Sequence, residues 1–231
     1  MLTLQEFRDN KSGQVLLHQL KTAGYTDIAI ASRLEANSPA ESRTDTRERA
    51  GHDPARRQPS SANSVLFAAK SPFSARRVDP TTTAGGPHLL EVSMHEMDLS
   101  LHCMHLPQKK AQFPWLQALL DLPAVMRSEN HLLIGDINCG IPFEDSETRS
   151  FDATHLFQAL LQQGWVDAWR SRNPSGREFS WVSSRSGNGF RYDHALASAS
   201  LNQLIRDVRY DHNVRTESWS DHSALLIETD L

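Results

Sequence analysis

A chain of 231 residues, 39% of them apolar, has material for one sizeable domain or two small ones, and its mean hydropathy of −0.50 implies that part of it does not pack. The net charge of −4 gives no global attraction to a polyanion, but it excludes neither a local basic patch nor a carboxylate-rich metal site. No apolar run approaches a membrane span, the first residues lack a signal-peptide layout, and Cys103 and Cys139 make no disulfide framework, so a cytoplasmic protein with small buried thiols is expected.

Leu2 and Leu4 share one face of an opening strand that Gln5 and Glu6 end. Val15, Leu16, Leu17 and Leu20 recur at helical spacing within Gly13 to Ala23, and Gly24 stops that helix. Tyr25 to Ala31 reads as a short strand. From Leu34 to Asn63 almost no large apolar residue occurs, and Ser, Pro, Ala, Arg and Asp dominate. Burial there cannot offset the entropy of ordering, so a disordered surface insertion at 34–63 is expected within one domain spanning 1–231. Its arginines (Arg43, Arg47, Arg49, Arg56, Arg57) either touch a polyanion or are simply solvated.

Strands are expected at Ser64 to Ala69, within Pro72 to Val78, at Leu89 to Val92 and at Leu99 to Leu106, with a loop at Asp79 to Pro87. Phe113 to Arg127 carries a helical pattern that Pro123 disturbs. His131 to Gly140 reads HLLIGDINCG: a buried strand, Leu132 to Ile134, that Gly135 breaks. In an extended segment Asp136 and Asn138 then point the same way. An acceptor-only carboxylate beside an amide can hold a water or metal ion and a phosphate oxygen, although the same residues also make ordinary turns. Thr154 to Gln163 is an amphipathic helix with Thr154 as its N-cap and Gly164 past its end. WVDAWR, EFSW, a Gly/Ser turn, FRYDHALAS, a helix or turn at Leu201 to Ile205, a strand at Val208 to Tyr210 and SDHSALLIETD complete the chain. Short strands with irregularly interspersed helices favour a layered α/β sandwich over a Rossmann sheet.

Polar clusters recur where strands stop: Gln5-Glu6, His105, Arg191-Tyr192-Asp193 and Ser220-Asp221-His222. Singly, each has an ordinary reading as a solvated carboxylate, a turn residue or a structural ion pair, such as Asp193 with Arg191 or Arg185. Together with GDIN and in this order, LTLQE, HLP, FRYDHALAS and SDH resemble the strand-end motifs of the endonuclease/exonuclease/phosphatase superfamily. The C-terminal third is most similar to exonuclease III. The resemblance covers nearly the whole chain outside the insertion. It implies a four-layer α/β sandwich, DNase I-like, in which two packed mixed β-sheets lie between helical layers.

The resemblance also implies roles. Glu6 matches the carboxylate that binds a divalent metal, magnesium or alternatively manganese, and Asp221 a further acidic residue near that metal. Magnesium takes oxygen ligands and keeps several waters, so one or two carboxylates suffice. Asp136 matches the residue that orients or deprotonates the attacking water, and Asn138 the one that holds the phosphate or that water. His222 matches the histidine on the scissile phosphate, Asp193 its carboxylate partner, and His105 the position facing the leaving group. The implied reaction is metal-assisted hydrolysis of a phosphodiester without a covalent intermediate.

Two features depart from the family pattern. The chain starts at LQE, without the family's first strand, which bears an Asn, and the helix after it. An unpaired edge and an open core are therefore expected. His105 is characteristic of the DNase I and sphingomyelinase branches, whereas exonuclease III has a tyrosine there. The implied partner is DNA, contacted by Trp181, Arg185 and Trp219, with Lys109 and Lys110 near His105, and the protein is expected to be a monomer with no membrane contact. Trp181 and Trp165 have core packing as their other reading. A small-molecule or lipid phosphate ester is the alternative substrate, and a truncated, non-catalytic binding protein the alternative class.

Overall fold

Period-two alternation along the strands sorts the apolar side chains into three cores. The computed structural model describes residues 1–34, 63–79, 86, 88–127, 129–148 and 151–231. Its strands are β1 (Leu2–Phe7), β2 (Asp27–Ile30), β3 (Ser64–Ala69), β4 (Ser74–Arg77), β5 (Leu89–Met94), β6 (Leu99–His105), β7 (His131–Asp136), β8 (Val166–Asp167), β9 (Trp181–Val182), β10 (Gly189–Phe190), β11 (Asp193–Ala197), β12 (Ile205–Asp211) and β13 (Ala224–Thr229). The helices are α1 (Lys11–Thr22), α2 (Phe113–Leu120), α3 (Thr154–Gln162), α4 (Ala168–Arg172), α5 (Ala199–Leu204) and α6 (Asn213–Thr216).

A six-stranded sheet runs in the order β4-β5-β6-β7-β11-β8, with β6 and β7 parallel and the other pairs antiparallel. The parallel step needs a crossover, and α2 lies in it. Leu90 and Val92 of β5, Leu99 and Leu101 of β6 and Leu132 of β7 face an inter-sheet core. Their alternates Leu89, Met104 and Leu133 pack on Trp115 and Leu116 of α2 and Phe157 and Leu160 of α3. Opposite lies an antiparallel sheet, β1-β3-β2. Val65 and Phe67 of β3 point into the inter-sheet core, while Leu66 and Ala68 meet Leu17 and Leu20 of α1. The layers are thus α1, sheet, sheet, and α2 with α3, which is the four-layer sandwich.

The second sheet differs from expectation in two ways. It is antiparallel rather than mixed, and it is divided. The β12-β13 pair packs Val208, Tyr210, Leu225 and Ile227 on the inter-sheet core, yet it forms a sheet of its own. Among the described residues β1 bonds only to β3 and β13 only to β12. Between them opens a cavity of about 580 Å³, floored by Leu101, Leu132 and Ile134.

Other differences are local. Asn10, not foreseen as a cap, accepts from the Gly13 N–H and starts α1. Thr154 is not an N-cap: its hydroxyl donates to the Gly140 carbonyl, and Ala153 sits at the cap position without a side-chain bond. α2 stops at Leu120, before Pro123, and a short 3-10 turn follows at Ala124–Arg127. β4 joins the six-stranded sheet rather than continuing β3. The predicted insertion falls on residues 35–62, outside those described. At its ends Leu34 packs on the inter-sheet core and the Asn63 carboxamide accepts from Arg8 Nε at 2.8 Å.

Arg191 is buried, at 1% exposure, and its guanidinium bonds two carboxylates. Nη2 lies 2.6 Å from Asp145 Oδ1 and 2.6 Å from Asp167 Oδ2, and Nε donates to Asp145 Oδ1 at 2.9 Å. Arg191→Met should destabilise the fold by about 3–5 kcal/mol, because two buried carboxylates lose their main counter-charge. Urea unfolding at neutral pH with an unchanged slope measures this, and a loss under about 1 kcal/mol would rule the role out.

Acid should weaken the fold through the same kind of group. Burial alone would raise Glu91, but His102 and Arg76 beside it hold its carboxyl at about 2. The unfolded chain takes up that proton near pH ~4.3, so the stability is present above that pH and is lost as pH falls toward about 2. Denaturant midpoints recorded from pH 5 to pH 2 should fall less steeply in Glu91→Gln than in the parent. Parallel profiles would show that Glu91 is not ionised natively.

Candidate active site

Three strand ends meet at one edge of the six-stranded sheet. His105, the last residue of β6, is in register with Asp136, the last of β7, and Asp136 is in register with Asp193, the first of β11. Gly135 does not break β7 but lies within it, at φ 134°. A Cβ there would sit 2.0 Å from the Met104 carbonyl oxygen, so only glycine lets β6 and β7 run together to their ends.

Asp136 and Asn138 do act together, but not by strand alternation. The chain leaves the strand, and Asn138 adopts φ 53°, a left-handed conformation that asparagine tolerates better than most residues. Its N–H donates to Asp136 Oδ1 at 2.8 Å, and Nδ2 donates to Asp136 Oδ2 at 3.1 Å and to the Leu106 carbonyl at 2.9 Å. The plane of the carboxamide is thereby fixed against the carboxylate. The intervening Ile137 N–H bonds the Tyr192 carbonyl at 2.9 Å.

Glu6 arrives from the other sheet. The β1-β3 register shifts between Leu4 and Phe7, and Glu6 stands at φ 57° in that irregularity. A bulge of this kind re-aims a side chain. Glu6 Oε1 lies 3.6 Å from His105 Nε2, and Asp136 Oδ2 lies 3.8 Å from the same nitrogen. The Glu6 side chain is 58% exposed and that of Asp136 only 7%, so one is open to hydrated species and the other is desolvated.

His222 Nδ1 is 2.7 Å from Asp193 Oδ2. Burial opposes the charged ring, but the bond and charge of Asp193, with Asp136 and Asp221 beyond, lift its pKa to about 9. His105 goes the other way: burial lowers it, and Glu6 only partly compensates, so its ring is neutral at neutral pH. Burial also pushes the Asp136 carboxyl well up, and the negative charges of Asp193 and Glu6 add to the push.

Asp193 therefore pairs with His222, not with Arg191 or Arg185; Arg191 serves Asp145 and Asp167 instead. Asp221 Oδ2 accepts from Trp181 Nε1 at 3.2 Å, and Asp221 shares one cavity with Glu6, Asp136, Asp193 and His222. Trp181 is half-buried, its ring centroid 5.7 Å from those of both Phe190 and Tyr192, and its backbone bridges to His222. Trp165 is a core residue on the helix side. Arg185 is exposed in the β9-β10 turn and Trp219, 77% exposed, precedes the SDH segment; neither contacts the cluster. Lys109 and Lys110 are also exposed.

Sequence reasoning passed over Ser180, although EFSW contains it. Its buried hydroxyl accepts from the N–H groups of Tyr192 at 3.0 Å and Asp193 at 3.2 Å, and its carbonyl accepts from Ser223 N–H at 2.7 Å. One serine thus ties the segment bearing Asp193 to the segment bearing His222. Tyr192 was read only as part of its cluster. Its ring stacks on Phe190 at 5.1 Å and stands 6.4 Å from His222.

Among the described residues no group of three or more His, Cys, Asp or Glu side chains is placed to hold a metal ion. The donor set is nevertheless one of hard oxygens: Glu6, Asp136, Asp193, Asp221 and the Asn138 amide. Asp136 is raised partly by uncompensated negative charge. A hydrated divalent cation that keeps several waters fits such a set.

A carboxylate–amide pair and a histidine–aspartate pair thus lie together at strand ends of a four-layer sandwich. The chain belongs to the Endonuclease/Exonuclease/phosphatase family, whose sequence profile matches residues 1–222. Among solved structures it is similar to a 3′-5′ exonuclease, NExo, from Neisseria meningitidis (TM-score 0.74, 18% identity, 100% of this chain and 89% of that one). It is also similar to a 3′ phosphatase form of NExo from Neisseria bound to a product DNA hairpin (0.71, 16%, 100% of both chains). An AP endonuclease from Archaeoglobus fulgidus is similar as well (0.69, 19%, 100% of both chains). At these identities the likeness is one of fold.

The histidine–aspartate pair gives a direct expectation. In Asp193→Asn the His222 pKa should drop from about 9 to below ~6.5, since burial then acts with less opposition. Imidazole NMR titration reads it; a value still above 8 would assign the charge to other partners.

Proposed function

We propose that this protein is a divalent-metal-dependent phosphodiesterase of the exonuclease III type that acts on DNA. The observation that carries the reading is the His222–Asp193 pair, 2.7 Å apart, held beside the bonded Asp136–Asn138 pair. Asp193 occupies Nδ1 of His222 and favours the imidazolium, which leaves Nε2–H to donate to a phosphate oxygen as negative charge develops there. Asp136, with proton affinity raised by burial and acidic neighbours, orients the attacking water or takes its proton. Asn138 holds the water or a phosphate oxygen through its fixed amide. His105, neutral and close to Glu6, faces the leaving oxygen.

Glu6 and Asp221 would hold the magnesium ion, or manganese in its place, and the bound ion supplies neutralisation of charge on the phosphate oxygens. The half-buried Trp181 offers an aromatic surface for a base, while exposed Trp219 and Arg185 reach for the strand and its phosphates. The likeness to a fold seen with a product DNA hairpin supports DNA as substrate. No helix among the described residues is long and apolar enough to cross a membrane. Two buried unpaired cysteines suit a reducing compartment, and we read the protein as a cytoplasmic monomer.

His105 favours a second reading, a small or lipid phosphate ester, because the family branches that carry histidine there include sphingomyelinases. Hydrolysis of nicked, abasic and blunt duplex DNA beside bis(p-nitrophenyl) phosphate, with magnesium or EDTA, separates the two. Metal-dependent DNA cleavage that Asp136→Asn reduces at least ~10²-fold is expected, and its affinity should fall steeply with salt. Cleavage of the small ester alone would replace the DNA reading, and undiminished turnover by Asp136→Asn would displace the active centre.

A further inference from the structure

The segment that carries His222 hangs from the end of the β12-β13 ladder. Asp211 and Ala224 are the last residues in register there, and residues 212–223 connect them. His212 and Ser223 are therefore the first residues beyond the ladder, one on each side of the base of that connection. Their side chains extend the ladder by one rung: His212 Nδ1 lies 2.8 Å from Ser223 Oγ. Farther out, Thr216 to Asp221 are all exposed, so this segment has little packing of its own and depends on its base for placement.

Ser223 is buried, at 3% exposure, and other elements converge on it. From α6, Arg215 Nε donates to the same hydroxyl at 3.2 Å. From the stretch before β9, the Ser180 carbonyl accepts the Ser223 N–H at 2.7 Å, and Glu178 Oε1 stands 3.0 Å from His212 Nε2. Glu178 is itself held, because Oε1 accepts from the Phe179 N–H at 3.0 Å. The directions of these bonds agree. A carboxylate only accepts, so Nε2 of His212 carries a hydrogen; Nδ1 accepts from the Ser223 hydroxyl, and that oxygen accepts from Arg215. Serine, histidine and glutamate here do not make a nucleophile. The serine oxygen is buried and already bonded to a guanidinium and a ring, which leaves a substrate no approach.

His222 directly precedes Ser223. Asp193 is tied to the same place, since the Ser180 hydroxyl accepts from the Asp193 N–H at 3.2 Å. The 2.7 Å between His222 Nδ1 and Asp193 Oδ2 thus joins two segments that are both anchored on residues 178–180. From this convergence on Ser223 we propose that His212 is a positioning residue for the His222–Asp193 pair: it holds Ser223 at the base of the segment and so sets where the His222 ring stands. Its effect on turnover rests on His222 being the donor to phosphate, as proposed for the site; its hold on the pair does not.

Two variants separate the two nitrogens of the ring. Asparagine places a carboxamide oxygen near the position of Nδ1, and glutamine places an amide nitrogen near that of Nε2. His212→Asn therefore keeps the bond to Ser223 and gives up Glu178, while His212→Gln does the reverse. The first readout needs no substrate: the exchange with water of the Nδ1 proton of His222, followed by NMR on the 231-residue chain and assigned by its absence in His222→Gln. His212→Ala and His212→Gln should speed that exchange about 10-fold, and His212→Asn less than about 3-fold. Turnover is read on DNA or bis(p-nitrophenyl) phosphate, whichever the parent cleaves. There the alanine and glutamine variants should lower kcat about 10-fold with KM within about twofold, because a displaced donor is missed mainly in the transition state, and asparagine should restore most of the rate. Ser223→Ala deletes the shared hydroxyl from the other side and should match His212→Ala, and combining the two should add nothing further. Unchanged exchange in every variant, rescue by glutamine as good as by asparagine, or additive effects of the two deletions would each overturn the proposal. A parent that cleaves neither ester would count against the reading of the site alone, with the exchange rates still deciding the role of His212.

Discussion

The guanidinium of Arg191 holds together three stretches of chain distant in sequence. It binds Asp145, in the loop after GDIN, and Asp167, at the end of β8, and its own N–H bonds the Asp145 carbonyl at 2.7 Å. The Trp169 ring covers it at 4.9 Å. Removing these charges from water is costly, and the Coulombic gain in a dry interior roughly offsets that cost when the bonds are complete. What the network supplies is placement. With Arg191 fixed, Tyr192 presents its carbonyl to Ile137 and Asp193 begins β11 opposite Asp136. The carboxylates of the candidate site inherit their spacing from a buried ion-pair network beside them.

Around that frame, two histidines of one chemical type are driven in opposite directions. His222 has a carboxylate at hydrogen-bond distance and two more nearby, and their pull outweighs its burial. His105 has its nearest carboxylates at 3.6 and 3.8 Å, and burial prevails. His222 has a hydrogen bond to Asp193 that His105 lacks, and His88 and His222 add like charge against protonation of His105. One site therefore presents a cationic donor and a neutral ring together at neutral pH.

Much of this was legible in the sequence. Strand ends could be found because apolar runs stop abruptly at Glu6, His105 and Asp136 and one begins just after His222, and the order of those boundaries carried the family. The layering followed from alternation, as in Leu89 against Leu90 or Leu66 against Phe67. What escaped were features set by contacts distant in sequence. Gly135 looked like a breaker because its need for glycine comes from Met104 on another strand. Arg191 looked like a partner for Asp193 two residues away, yet its partners are 46 and 24 residues distant. Asn138 reaches the right place through a left-handed turn, not through alternation. Thr154 has the composition of a cap, but the Gly140 carbonyl claims its hydroxyl.

The two cysteines occupy different interiors. Cys103 lies in the core between the sheets, beneath the cleft, and Cys139 in the core against the helices. Burial pushes both thiols up to about 12, so neither carries appreciable thiolate in the native fold. Alkylating reagents can reach them only when the surrounding core opens. The molecule thus carries a built-in pair of clocks: the labelling rate of each sulfur times the opening of one core, and their ratio tells whether the sandwich breathes as one body or as two.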